Sequence, residues 1–324
     1  MKAIVQDKYG PAEMLRLGDI DVPDIADDEV LVRVHAAGVD RGVWHLMTGL
    51  PYPVRLAGYG IRAPKNPVPG MDLAGVVERV GSSVTRFRPG DEVFGIGKGT
   101  FAEYARALEH KLAPRPANLT HIQAAAVAIS GLTALQAVRD HGHVHQGDRV
   151  LITGASGGVG TYAVQLAKAY EAEVTAVCST AKVDLVRSLG ADHVLDYTRT
   201  DFADGSPGYD VILDIGGNPT LRRLRSALAP KGTLVIVGGE TGGTWIGGYD
   251  RQLRAILMSR FVPQTMRTFV SGENYEDMLV LKELIEAGKV TPSIDRTFTL
   301  PEAAQAIAYV EQGRARGKVV VTVE

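Results

Sequence analysis

A single cysteine, Cys178, is all that this chain of 324 residues carries. No intrachain disulfide can form, and no zinc site built from several cysteines can exist. No apolar run is long enough to span a membrane. The N-terminal stretch MKAIVQDKYG lacks the apolar core of a signal peptide, so the cytoplasm is the expected location. Neither sign of charge is in surplus, because 35 Lys and Arg stand against 37 Asp and Glu. That speaks against general attraction to nucleic acid or to an anionic membrane, and leaves room only for a local basic pocket. With these classes removed, 45% hydrophobic and 22% charged residues describe a soluble globular protein. Its length suggests two domains sharing an interface.

What the chain does have is a glycine-rich turn in a telling place. Residues 149–160 read RVLITGASGGVG. Val150, Leu151 and Ile152 suit a buried parallel strand, and residues 161–170 place Ala163, Val164, Leu166, Ala167 and Tyr170 at helical spacing. Strand, glycine turn and helix open a βαβ nucleotide-binding unit. There the backbone approaches a pyrophosphate closely and the helix N-terminus supplies N–H groups and positive partial charge. The pattern is G-x-x-G-x-x-G, with Ala155 where the stricter fingerprint has its first glycine.

The first 110 residues are predicted to be β-rich. Residues 2–6 and 29–35 alternate at period two, and 73–80 and 92–96 are further strands between Gly and Pro punctuation. Many short strands of this kind suggest a small barrel or sandwich. Residues 40–71 form an unusually long connection, which in a compact domain is often functional. Residues 120–140 read as helices broken near Ser130 and Gly131. Alternating strands and helices follow to residue 237, the order of a doubly wound parallel sheet, with 265–270 as an edge strand. A helix is expected over 274–287, and 317–323 returns to strand character. The plan is an α/β fold in which a Rossmann-type domain, residues 120–270, is inserted into a β-rich domain formed by 1–119 and 271–324.

The second strand of the nucleotide unit ends near Cys178. An NAD-binding chain places Asp or Glu there to hold the ribose 2′-hydroxyl. Here Ser179 and Thr180 follow, then Lys182, and these suit a 2′-phosphate better. Asp184 falls where the next helix has begun. The expected cofactor is therefore NADPH. The same hydroxyls also make good helix caps.

Several segments together resemble the medium-chain dehydrogenase/reductase superfamily: GMDLAGVV at 70–77, PGDEVFG at 89–95, SGLTAL at 130–135, the glycine turn, and GADHVLDY at 190–197. Within it the chain is similar to the zinc-free quinone oxidoreductase branch. The resemblance implies a GroES-like catalytic domain, a Rossmann domain with the cofactor in the cleft between them, and hydride transfer from NADPH to quinones or activated alkenes. The zinc alcohol dehydrogenases of the superfamily carry a cysteine ligand in the segment that here reads AGVDR (37–41). Their Gly-His-Glu motif is here Gly70, Met71, Asp72, and their four-cysteine lobe is absent. No metal is expected, although Asp40, His45 and Asp72 are groups that can ligate one.

The resemblance also assigns roles. It implies that Ser156, Gly157, Gly158 and Val159 hold the pyrophosphate, and that Ser179, Lys182 and Tyr197 surround the 2′-phosphate. Gly238 and Gly239 would approach the nicotinamide ribose, Arg314, Ala315 and Arg316 would close over the cofactor, and Thr133 would face the nicotinamide. The branch usually has Asn at Asp40 and Tyr at His45. Asp40 or His45, or water, would then deliver the proton that follows hydride. Trp44, Tyr52 and Tyr59 are expected either to line a pocket for a flat substrate or to be core residues of the long loop. Two other readings stay open: a zinc-free alcohol dehydrogenase or carbonyl reductase, and an NADPH-binding sensor or structural protein. A homodimer through the sheet edge is expected by fold analogy.

Overall fold

The structure, a computed structural model, describes residues 1–204, 208–239 and 243–323. In chain order the elements are β1 (Lys2–Val5), β2 (Arg16–Asp19), β3 (Glu29–Val39), α1 (Arg41–Thr48), β4 (Asp72–Val80), β5 (Glu92–Ile96), β6 (Tyr104–Leu108), β7 (Leu112–Pro114), α2 (His121–Ala124) and α3 (Ala128–Gln136). Then come β8 (Arg149–Thr153), α4 (Gly158–Ala169), β9 (Glu173–Cys178), α5 (Val183–Ser188), β10 (His193–Asp196), β11 (Tyr209–Asp214), α6 (Leu221–Ala227), β12 (Leu228–Ile236), α7 (Gly243–Ile246), α8 (Tyr249–Ser259) and β13 (Thr265–Thr268). The chain returns through α9 (Tyr275–Glu286), β14 (Ile294–Thr299), α10 (Ala303–Glu311) and β15 (Lys318–Thr322). Two compact units result. The first joins Met1–Leu132, Gly272–Gly288 and the chain from Pro292 on; the second joins Thr133–Ser271 and Lys289–Thr291.

The first unit is built on a seven-stranded sheet in the order β14-β15-β3-β4-β5-β7, with β6 also paired to β3, and on a separate β1–β2 ribbon. The late strand β15 lies antiparallel to β3, with Val319 opposite Val39 and Val321 opposite Ala37. The two strands supply Val30, Val32, Val34, Val319 and Val321 to a buried core that also takes Leu73 and Val77 of β4, Phe101, and Ile307 of α10. The alternation expected over residues 29–35 gives way to a longer strand. β3 is buried along nearly its whole length because it pairs with β4, β6 and β15 and is covered on both faces. The long connection at 40–71 is not irregular throughout. It contains α1, whose N-cap is Asp40 and whose C-cap is Gly49 at φ 64°. Arg55 organises the rest of it, lying over the rings of Tyr9 and Tyr52 and donating Nε to Gly49 O (2.9 Å).

The second unit holds a six-stranded, fully parallel sheet in the order β10-β9-β8-β11-β12-β13. The chain winds outward from β8 in one direction and from β11 in the other. The gap between these two strands is the switch point at which such sheets bind ligands. β13 is the edge strand, as its sequence suggested. The expected helix break at Ser130 and Gly131 does not occur. α3 runs straight through, and the interruption falls at residues 125–127. A Cβ at Gly131 would sit 3.0 Å from the Leu281 side chain of α9, a tight approach that glycine relieves. It is a packing residue, not a helix stop.

Candidate active site

The glycine turn stands at the switch point, between β8 and α4. Its glycines do different work. Gly154 has φ 68°, and a Cβ on Gly160 would lie 2.2 Å from Gly154 O, so these two allow strand and helix to pack backbone to backbone. Ala155 is fully buried and its N–H donates to Val177 O (3.2 Å), which holds the turn onto β9. A Cβ on Gly157 would meet only Gly154 O, at 3.5 Å. Gly157 is also the N-cap of α4 and offers no side-chain cap. The first N–H groups of such a helix have no intrahelical acceptor. An open cradle beside unsatisfied N–H groups at the positive end of a helix fits a pyrophosphate. Ser156, Gly157, Gly158 and Val159 are brought together there.

A buried network fixes the neighbouring strand ends. Asp214, the last residue of β11, is fully buried. Its Oδ1 accepts from Thr153 Oγ1 (2.6 Å), and its Oδ2 accepts from Arg251 Nη2 of α8. Arg251 also donates to Pro219 O (2.9 Å), and Gly216 N donates to Thr153 Oγ1 (3.3 Å). The loop that leaves β11 is thus tied at both ends. A Cβ on Gly238 would lie 2.0 Å from Ile215 O, so Gly238 lets the loop after β12 close against it. Gly239 has more room. Arg251 and Asp214 carry no expected role in the sequence reading. The signal was available: a carboxylate closing the apolar run VILD needs a partner when buried.

At the end of β9, Ser179 is the N-cap of a single 3-10 turn, Thr180–Lys182, that leads into α5. Asp184 lies in the first turn of α5 and pairs with Arg187 (3.1 Å). A carboxylate does come near from the adjacent strand. Asp196, ending β10, accepts from Thr180 Oγ1 (2.5 Å), Thr198 Oγ1 (2.7 Å) and Thr198 N (3.0 Å). The Thr180 and Thr198 hydroxyls together hold its carboxyl below the usual range, against weak desolvation. Tyr197 follows it and is 60% exposed. Burial foremost pushes the thiol of Cys178 up, which makes it a poor nucleophile.

In the first unit Asp40 caps α1, accepting from Val43 N (3.2 Å) through Oδ1. Its Oδ2 is buried with no hydrogen-bond partner among the described residues. His45 donates Nδ1–H to Leu50 O (2.7 Å), which orients its ring. Asp72 is fully buried in an ion pair. Lys318 Nζ reaches its Oδ2 (3.1 Å) and Ser130 Oγ (3.0 Å), and Ile129 N donates to its Oδ1 (2.8 Å). Burial pushes this carboxyl up to about 6, with Lys318 pulling against burial and Asp40 adding to it. Both oxygens of Asp72 are therefore engaged within the protein. Lys318 lies in a strand whose sequence gave no hint of a buried charge.

A cavity of about 450 Å³ lies in this unit. Tyr59 lines it, with Leu46, Met47 and Met71. Trp44 and Tyr52 do not. Trp44 packs against the core cluster and under the Arg41 guanidinium, and Tyr52 packs against Arg55. Of these three aromatics only Tyr59 lines this cavity, and Trp44 takes the core alternative. Arg314 and Arg316 are exposed beyond α10, where Arg316 N donates to Asp295 Oδ2 (3.0 Å), and Ala315 packs against the core. Thr133 lies half-buried on α3 at the start of the second unit.

Comparison with known proteins agrees with this architecture. Residues 26–117 match the family described as "Alcohol dehydrogenase GroES-like domain", and residues 189–321 match "Zinc-binding dehydrogenase". The chain is 34% identical to a mitochondrial NAD(P)H oxidoreductase of Bos taurus, over 100% of this chain and 89% of that protein. It is 34% identical to an NADPH-dependent alkenal/one oxidoreductase from the chloroplast of Arabidopsis thaliana, over 99% and 79%. Among solved structures, a quinone oxidoreductase from Coxiella burnetii superposes with a TM-score of 0.87 at 30% identity, covering 100% of this chain and 99% of that one. The first unit is accordingly a GroES-like domain and the second a Rossmann-like one, and the chain belongs to the medium-chain dehydrogenase/reductase superfamily, in its zinc-free quinone oxidoreductase branch.

Proposed function

We propose that the protein is an NADPH-dependent, zinc-independent oxidoreductase that transfers hydride to a quinone or an α,β-unsaturated carbonyl. The observation that carries this reading is the open cradle at Gly157, at the head of α4 and at the switch point of a sheet in dinucleotide order. The names of the relatives support the acceptor class. The bound nucleotide supplies the hydride; the chain's own work is to hold both reactants and meet the negative charge that develops on the acceptor oxygen. Zinc independence is supported by Met71 at the histidine position and by the engagement of both Asp72 oxygens. The outer edge of β13, unpaired among the described residues, suits a twofold mate, and we include a homodimer in the proposal.

Consumption of NADPH by chelator-treated protein tests the reading, with a quinone, an enone and a simple ketone compared and NADH as control. Loss of NADPH with the quinone or enone alone is expected. Turnover of the ketone alone moves the assignment to carbonyl reduction. In the same assay His45→Phe is expected to lower turnover, the imidazole that Leu50 O orients being the proposed proton donor. Unchanged turnover in the variant removes His45 from the mechanism.

Preference for NADPH rests on Ser179 and Lys182 at the end of β9, with Asp196 already engaged by two threonines. Lys182→Glu should weaken NADPH binding by about ten- to a hundredfold, the value of one charge-assisted contact, and leave NADH nearly unchanged. Fluorescence titration of both nucleotides measures it. Equal losses for the two would take Lys182 out of the 2′-phosphate site.

A further inference from the structure

The cavity of the first unit is more basic than its surroundings require. Lys65, Lys98, Arg106 and Lys111 all line it. Among the described residues Glu273 is the one carboxylate that lines it, and it is paired with Lys111. Lys98 and Arg106 share a single carboxylate, the buried Glu29, at 3.6 Å and 3.5 Å. Glu29 is further engaged by Ala26 N (3.1 Å). Lys65 has no carboxylate within ion-pair distance among the described residues. Four cations thus face two carboxylates, in a chain whose formal net charge is −2. The surplus is local and is not a reflection of overall composition. Leu46, Met47, Tyr59 and Met71 give the same cavity an apolar portion.

A wall with excess positive charge beside an apolar patch suits one kind of small molecule. We infer that this cavity selects an acceptor that bears a carboxylate, held by the Lys98 and Lys65 ammonium groups, with its unsaturated carbonyl end against the apolar residues. The inference rests on the reductase reading for the nature of the acceptor, but the charge preference of the cavity stands apart from it. The side chain of Lys98 is 56% exposed, so solvent screens the interaction and keeps its gain near the lower end of what a charged contact provides.

The test uses two probes that differ in one group: 4-phenylbut-3-en-2-one and the same enone with a para-carboxylate on its ring. Calorimetric titration of the purified protein, with and without NADP+, gives the affinity for each. The carboxylate is expected to bind about tenfold more tightly at low salt, with the advantage shrinking at high salt. The doubly substituted Lys65→Gln, Lys98→Gln protein should lose that advantage while its affinity for the neutral enone stays the same. These lysines are surface groups outside the core, so the fold should tolerate both changes. Equal affinity for the two probes, or an advantage that survives in the variant, overturns the inference. Turnover measured alongside separates the two ideas. If the neutral enone is reduced and the carboxylate binds no better, reduction stands and the selectivity fails. If the carboxylate binds preferentially and neither probe is reduced, the selectivity stands and the reductase reading fails.

Discussion

Methionine in place of Lys318 should destabilise the protein by about 3–5 kcal/mol at neutral pH, the usual consequence of leaving a buried charge without its partner. Lys318 and Asp72 are both fully buried, and the ammonium also donates to Ser130. Without it the Asp72 carboxylate keeps only the Ile129 N–H. The loss should depend on pH, and its sign follows from proton uptake. The Asp72 carboxyl already stands at about 6 in the folded protein, and removal of Lys318 raises it further. The folded variant then binds a proton that the unfolded chain, with an ordinary Asp near 3.9, has released. That contribution is complete below about pH 4 and disappears as pH rises through the folded value. Urea denaturation at acid and at alkaline pH should therefore show a smaller deficit at the acid end. Adding Asp72→Asn should recover much of the stability, since both charges are then gone. A deficit equal at both pH values, or under about 1 kcal/mol, would mean that water reaches the pair.

The second large effect is expected at Arg251. Arg251→Met strands the carboxylate of Asp214, but Thr153 Oγ1 still donates to it. Arg251 itself has Nε and Nη1 buried with no hydrogen-bond partner among the described residues, and methionine removes that cost. Both facts place the loss near the lower end of the range for a broken buried pair, about 3 kcal/mol. Nucleotide affinity should fall with it, because Arg251 also holds Pro219 O and so orders the loop that leaves β11 at the switch point. Denaturation and nucleotide titration of the same variant check the two halves. Unchanged stability with weakened nucleotide binding would make Arg251 a direct ligand contact and not a structural tie.

Both pairs escaped the sequence for the same physical reason. Lys318 and Asp72 are 246 positions apart, and Arg251 and Asp214 are 37 apart. No periodicity links such positions; only the assembled sheets do. Features that depend on neighbours within a turn or a strand were legible. The apolar run at 150–152 is a strand as expected, the helix after the glycine turn begins at Gly158 and so takes the last two glycines into its first turn, and the succession of strands led to the observed parallel sheet. The edge position of β13 was legible too. The long connection was misread although its signals were present. Asp40 and Gly49 are an ordinary N-cap and C-cap around RGVWHLMT, and the same carboxylate that reads as a catalytic group starts a helix. Trp44 shows the complementary limit. An aromatic in a polar-looking loop reads equally well as pocket or core, and what decides is packing against distant residues.

The pairing of β15 with β3 has a consequence for how the protein is made. During synthesis residues 133–271 leave the ribosome before residues 318–322. The Rossmann-like unit can close while the sheet of the first unit still lacks one of its interior strands and Asp72 still lacks its counter-charge. Although domains usually fold in the order in which they emerge, here the part translated first must wait for the part translated last. Until then the exposed edge of β3 is an open template for other strands, so nascent or truncated chains that stop short of Lys318 are the forms most prone to associate wrongly.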